Sequence, residues 1–203
     1  MIIIIDCSQI CYQALYSSMG ELTYRGVPVN VIFGFLKTIL SIFKEYRSNN
    51  FVFCWDSKKS NRKVLFENYK KGRRKDLTSE ERRILDEGFT QFTALRMVVL
   101  PTMGFRNNFR KTGFEGDDII ASVTHRTRED KVVICSSDHD MYQLLGSGIV
   151  MYDPKKRQVL DADWFGKRFT ITPLQWANVL SIAGCPGDGV PGVPGVGIKT
   201  AIK

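Results

Sequence analysis

The chain has 203 residues, 43% of them hydrophobic and 25% charged, which is enough to bury one substantial core and excludes a disordered polymer. Lys and Arg outnumber Asp and Glu by 29 to 21, giving a net charge of +8 that favours a polyanionic partner, either nucleic acid or an anionic membrane surface. Five cysteines without a Cys-x-x-Cys pair argue against a disulfide framework and for buried thiols in a reducing compartment.

The N-terminus lacks a basic n-region and reaches Asp6 too early for a signal peptide. No apolar run approaches the roughly 18 residues of a membrane span, so a soluble cytosolic protein is expected. Residues 2–5 are an unbroken isoleucine run, as in a central parallel strand buried on both faces, with Asp6 at its carboxyl end. A helix is expected over residues 8–16 and a turn at Arg25-Gly26-Val27-Pro28. A stronger helix opens at Asn30 as N-cap, with Val31, Ile32, Phe35, Leu36, Ile39, Leu40, Ile42 and Phe43 at helical spacing.

Residues 51–55 read as a second buried strand, ending at Asp56, and residues 132–135 as a third, running into Ser136-Ser137-Asp138-His139-Asp140. In an open α/β sheet these carboxyl ends share one rim, where ligands bind. Further short strands are expected at residues 97–100 and 149–152, with a weaker candidate at Val159-Leu160. Between residues 57 and 77, Lys58, Lys59, Arg62, Lys63, Lys70, Lys71, Arg73, Arg74 and Lys75 are opposed only by Glu67 and Asp76, with Phe66 and Tyr69 interleaved. This basic excursion is expected to hang over the acidic rim before a helix that starts at the Thr78/Glu81 capping box.

Glu115, Asp117 and Asp118 crowd together just before an apolar helical pattern that runs to about His125. Like charges so close resist ionising together unless a cation neutralises them. With Asp6, Asp56, Asp138, Asp140 and Asp188 they form a hard-oxygen ligand set suited to Mg²⁺ or Mn²⁺. Two such ions about 4 Å apart could hydrolyse a phosphodiester. His125 and His139 are read as surface or supporting residues rather than ligands. Another capping box, Thr172-Pro173-Leu174-Gln175, opens a helix ending at Gly184. The glycine-dense loop that follows carries Gly192, Gly195 and Gly197 and leads to Lys199, a hairpin able to hold duplex phosphates.

These residues resemble the 5′ nuclease family: phage 5′–3′ exonucleases, the nuclease domain of bacterial DNA polymerase I, and flap endonucleases. The resemblance rests on Ile5-Asp6, Gly34-Phe35-Leu36, Trp55-Asp56, Tyr69-Lys70 with Arg73, Glu115-Gly116-Asp117-Asp118, Ser137-Asp138-His139-Asp140, and Asp188 with Gly192-Val193-Pro194-Gly195-Val196-Gly197-Ile198-Lys199-Thr200-Ala201. It implies an α/β fold with a mostly parallel sheet (PIN-like). Residues 1–170 would form the nuclease core, residues 57–96 a basic arch, and residues 171–203 a partial helix-three-turn-helix.

The activity implied is metal-dependent 5′–3′ exonuclease and 5′-flap endonuclease cleavage of DNA in replication or repair, with RNA of RNA–DNA hybrids as a further substrate, in a monomer from a bacterial or phage-infected cell. Asp117 and Asp118 would act with Lys70 and Arg73 in catalysis. Arg62, Tyr69, Arg74, the hairpin glycines and Lys199 would bind nucleic acid.

Three departures stand out. Cys185 replaces an expected second-metal aspartate, and a thiol is a poor Mg²⁺ ligand. Gln13 stands where an arginine on the first helix is usual. The chain also ends one turn into the second hairpin helix, as expected of a truncated product, a fragment or half of a split protein. The alternative is a structure-specific nucleic-acid binding protein with weakened catalysis. A receiver-like or phosphoryl-transfer domain fits less well, since Asp6-Cys7-Ser8 lacks a paired acid and such a domain leaves the glycine hairpin unexplained.

Overall fold

The computed structural model describes residues 1–17, 22–72 and 75–203. Strand β1 (Ile2–Asp6) runs straight into helix α1 (Cys7–Leu15). A small hairpin, β2 (Thr23–Tyr24) with β3 (Val27–Pro28), precedes α2 (Asn30–Tyr46) and β4 (Phe51–Trp55). The basic segment holds a short helix α3 (Arg62–Leu65), followed by α4 (Ser79–Ala94), α5 (Leu100–Thr102) and β5 (Asn108–Arg110). The second half consists of α6 (Gly116–Arg126), β6 (Val132–Cys135), β7 (Ile149–Asp153), β8 (Gln158–Leu160), α7 (Ala162–Phe169), α8 (Trp176–Ala183) and α9 (Ile198–Ala201).

The six-stranded sheet has the order β5-β4-β1-β6-β7-β8. All of its pairings are parallel except β7 with β8. Strand β1 lies at its centre, with Asp6 opposite Cys54 and Ile5 opposite Cys135. Alternate side chains of a strand point to opposite faces, and the isoleucines divide accordingly. Ile3 and Ile5 pack with α1, α2 and α4, while Ile2 and Ile4 pack with Ile120, Phe165 and Trp176. A sheet covered on both faces requires continuous apolar strands, which explains the isoleucine run. The chain moves outward from β1 to β4 and β5, then returns to β6 on the other side of β1. This reversal opens a crevice at the carboxyl ends of β1, β4 and β6.

Two local expectations are corrected. Residues 97–100 are helical: α4 continues through a π-helical turn, Leu95–Val99, into α5. The wider turn places Leu95 and Leu100 in the core at 0% exposure while Met97 and Val98 face solvent at 57% and 59%, and strand propensity at Val98-Val99 yields to that packing. The sheet edge is instead the polar β5, which carries no apolar alternation. At the start of α2 the boundary residue is Val29 rather than Asn30. Buried Gln91 of α4 takes the capping role, accepting from Val31 N at 2.9 Å and donating to Asn30 Oδ1 at 3.0 Å.

After residue 170 the chain packs on the same core. Trp176 is buried against Tyr142, Phe165 and Phe169 and donates its indole N–H to the His139 carbonyl at 2.9 Å. The following hairpin closes on Gly184, at φ +77°, and on Gly192, where a Cβ would fall 2.2 Å from the Ala183 oxygen. Only glycine permits that approach.

Candidate metal centre and basic arch

Asp6 is the residue at which β1 becomes α1. It is 4% exposed, accepting from Gln9 N at 3.1 Å and from the Ser136 hydroxyl at 2.8 Å. Ser136 Oγ in turn accepts from Asp138 N at 3.0 Å, so one buried hydroxyl ties the ends of β1 and β6 together. Asp138 Oδ1 accepts from Asp140 N at 3.0 Å in the helical turn after β6. From the next strand, Asp56 Oδ1 accepts from Gly116 N at 2.6 Å, and a Cβ on Gly116 would sit 3.1 Å from that oxygen. Gly116 thus lets α6 approach β4 and brings Asp117 in from the first helical turn, where the helix dipole favours acids.

Carboxylate oxygens of Asp117, Asp138 and Asp140 all lie within 4.8 Å of one another. Three carboxyls here, those of Asp6, Asp117 and Asp140, titrate above the ordinary carboxylate value. Burial, then Asp56 and Asp138, push Asp6 up to about 7. Burial, then Asp6, Asp138 and Asp56, push Asp117 up to about 8. Asp140 is raised by burial and by Asp138 and Asp188. Such crowded oxygen donors, none of them in a direct ion pair among the described residues and with Lys70 offsetting Asp117 and Asp140 only in part, fit a hard divalent ion.

The other acids of α6 are differently served. Glu115, 7% exposed, accepts from Lys70 Nζ at 2.7 Å and the Tyr69 hydroxyl at 3.0 Å, with Arg62 at 3.3 Å and the Ser60 hydroxyl at 3.3 Å. Burial alone would raise its pKa, but Lys70, Tyr69 and Arg62 outweigh burial and lower it. Asp118 takes a bidentate pair from Arg62 at 2.7 and 3.0 Å and accepts from Glu115 N at 2.9 Å. Lys70 has φ +53°, and its N–H reaches the Asp188 carbonyl at 2.7 Å, joining the basic segment to the loop after α8. Arg73 and Arg74, assigned to substrate binding from sequence, lie outside the described residues.

An open cleft of about 830 Å³ gathers Asp6, Asp56, Glu115, Asp117, Asp138, Asp140 and Asp188 with Lys70 and Cys185. Asp118 is not among its lining residues, because its carboxylate turns to Arg62. Cys185 is half-buried, its backbone paired with Val190. Its thiol is pushed up by burial, Asp140, Asp188 and Asp138. Of the hairpin residues, Gly192 is engaged in packing, whereas Gly195 and Gly197 have open space where a Cβ would be, and Lys199 is exposed. Sequence reasoning missed Ser136, Ser60, Tyr12 and Lys155. A lone hydroxyl gives no pattern, although Ser136 directly follows a strand and precedes the Asp138-His139-Asp140 run, which is a usable signal. Among the described residues no helix is long and apolar enough to cross a membrane.

Residues 1–170 match the family model of the 5′-3′ exonuclease N-terminal, resolvase-like domain. A 5′-3′ exonuclease of Buchnera aphidicola is 31% identical over 99% of this chain and 68% of its own length. The thermostable DNA polymerase I of Thermus thermophilus is 28% identical over the whole chain, which spans only 23% of that relative. In fold, the chain is similar to the T5 D15 protein co-crystallised with metal ions, with a TM-score of 0.84 at 21% identity, covering 99% of this chain and 73% of that one.

Proposed function

Because the chain belongs to the family of the 5′-3′ exonuclease N-terminal, resolvase-like domain, we propose that it hydrolyses phosphodiester bonds of DNA at 5′ ends and 5′-flap junctions, with a divalent cation as cofactor. The observation that carries this reading is the convergence of Asp117, Asp138 and Asp140 within 4.8 Å beneath an arch bearing Lys70 and Arg62. That convergence is the chemistry of a cation site facing a phosphate-binding surface. The name of the Buchnera aphidicola relative, a 5′-3′ exonuclease, supports it.

Asp117, Asp138 and Asp140 would hold the ion, with Asp6 and Asp56 beside them. When bound, a Mg²⁺ or Mn²⁺ ion supplies charge neutralisation to a phosphoryl oxygen and acidifies a water. Ser136 and Gln9 fix the Asp6 carboxylate, so the rim is preorganised before any substrate arrives. Lys70 and Arg62, drawn to Glu115 and Asp118, stand where they could exchange to substrate phosphate. A second ion would draw on Asp188, where Cys185 supplies no hard oxygen and weakens the site. Gly195, Gly197 and Lys199 offer an exposed surface for duplex phosphates.

An internally labelled 5′-flap duplex, titrated with Mg²⁺ and separately with Mn²⁺, tests the reading. Cleavage that requires the ion and disappears in Asp117→Asn supports it, and product lengths give the balance of exonuclease to flap endonuclease. Absence of cleavage with either ion sinks it.

A further inference from the structure

Helix α1 lines one side of the cleft through Ser8, Gln9, Tyr12 and Gln13, yet residues 7–15 contain no lysine or arginine. A polyanion threading between α1 and the arch would therefore meet no cation on the helix itself. Among the described lining residues the cations are Lys70 and Lys155, and Lys70 is engaged with Glu115 at 2.7 Å. Lys155 is exposed, and its ammonium forms no ion pair among the described residues. Its neighbour Lys156 instead turns back to Asp153, at 3.6 Å.

Topology explains why a lysine so far along the chain reaches this rim. Strand β7 runs parallel to β6, so its carboxyl end emerges beside Asp138. There Asp153, 3% exposed, organises the turn. Its Oδ1 accepts from the Ser137 hydroxyl at 2.6 Å, from Lys155 N at 2.9 Å and from Lys156 N at 3.2 Å. Ser137 Oγ accepts from the Gln13 amide at 3.0 Å. A continuous polar chain thus runs from α1 through Ser137 and Asp153 to the backbone of Lys155 and fixes the turn against the helix. The Gln13 amide is committed to that chain, and Lys155 carries the charge.

We propose that Lys155 is a substrate-positioning residue that contacts a backbone phosphate of the nucleic acid on the α1 side of the cleft, opposite Lys70. The proposal rests on the nuclease reading above. A cation there neutralises one phosphate and releases its condensed counterion, which makes its contribution readable as salt dependence.

The test is fluorescence anisotropy with a labelled DNA hairpin bearing a 5′ single-stranded extension, in EDTA so that binding is read without hydrolysis, over a series of salt concentrations. Lys155→Ala is expected to weaken binding about 3- to 10-fold and to reduce the slope of log K against log salt by about 0.7–0.9. Lys155→Glu should weaken it further and Lys155→Arg should retain it. Lys156→Ala should behave as wild type, and a thermal melt of each variant separates misfolding from lost contact. Equal affinity and slope in Lys155→Ala and wild type, while wild type binds and cuts, overturns the assignment and leaves the nuclease reading standing. Wild-type protein that neither binds the hairpin nor cuts a flap overturns both.

Discussion

The acids of this rim fall into two groups that differ in a single respect. Glu115 and Asp118 have protein cations: Lys70 and Arg62, with the Tyr69 hydroxyl added, hold them at 2.7–3.3 Å. Asp6, Asp117, Asp138 and Asp140 make no ion pair of this kind among the described residues, and although Lys70 pulls on Asp117 and Asp140 from further off, Asp6, Asp117 and Asp140 titrate above the ordinary carboxylate value. Burial raises Glu115 as it raises Asp6, Asp117 and Asp140, and the direct pairing with Lys70 is what turns the Glu115 shift downward. The first group is internally satisfied. The second is built for an ion from outside, and Asp117 and Asp118 show that adjacent residues in one helical turn can belong to different groups.

Asp117→Asn should break the contrast most severely. Removing a donor from the uncompensated cluster should cut cleavage by roughly 10³-fold or more, a loss of several kcal/mol of transition-state stabilisation. The same substitution relieves buried charge, so without metal at pH 8 its melting temperature should rise by about 3–6 °C. A variant that loses activity and also melts earlier would point to a structural role instead.

Next in size is the pH dependence of the metal-free protein. Asp6 and Asp117 have folded-state pKa values of about 7 and about 8 against an ordinary 3.8, so between these limits the folded state binds more protons than the unfolded one. Stability from these groups is therefore complete below about pH 4 and falls as pH rises toward 8. Glu115 is shifted the other way. Its stabilisation is present above the ordinary glutamate value and is lost only as pH drops below it, so it stays constant across pH 5–8.5. Thermal melts in EDTA should fall across that window and fall less steeply in Asp117→Asn, where Asp6 still contributes. A rise with pH would show that the cluster is already compensated.

On the satisfied side, Lys70→Ala leaves Glu115 buried with fewer partners and should cost about 1–3 kcal/mol in urea unfolding at pH 7. The smallest effect belongs to Arg62→Ala, about 0.5–1 kcal/mol, because the Arg62 side chain is 40% exposed and solvent screens its pairs. An Arg62 effect exceeding that of Lys70 would reverse the ranking of the two arch cations.

Much of this architecture was legible from residue order. Unbroken apolar runs at residues 2–5, 51–55 and 132–135 could be satisfied only by strands covered on both faces, and an acid at each carboxyl end followed from a parallel sheet. Capping boxes at Thr78 and Thr172 were readable because they are local. The failures were non-local. Val98-Val99 suggested a strand, yet the π-helical turn exists because Leu95 and Leu100 both reach the core. Strand β5 is invisible in sequence, since Asn108 is held by Trp55 and the Arg96 carbonyl, at 2.7 Å each, rather than by apolar alternation.

Sequence by itself put Asp6, Asp56 and Asp138 at or just past strand ends and Asp117 in a helix's first turn, because strand direction and helix starts are set by local pattern. Only the tertiary structure decided their ionisation, because that depends on which cation folds back over them. Arg62 and Lys70 lie far along the chain from Glu115 and Asp118. No spacing rule predicts that they neutralise those two acids and leave Asp117, in the same turn of helix, facing Asp138 and Asp140.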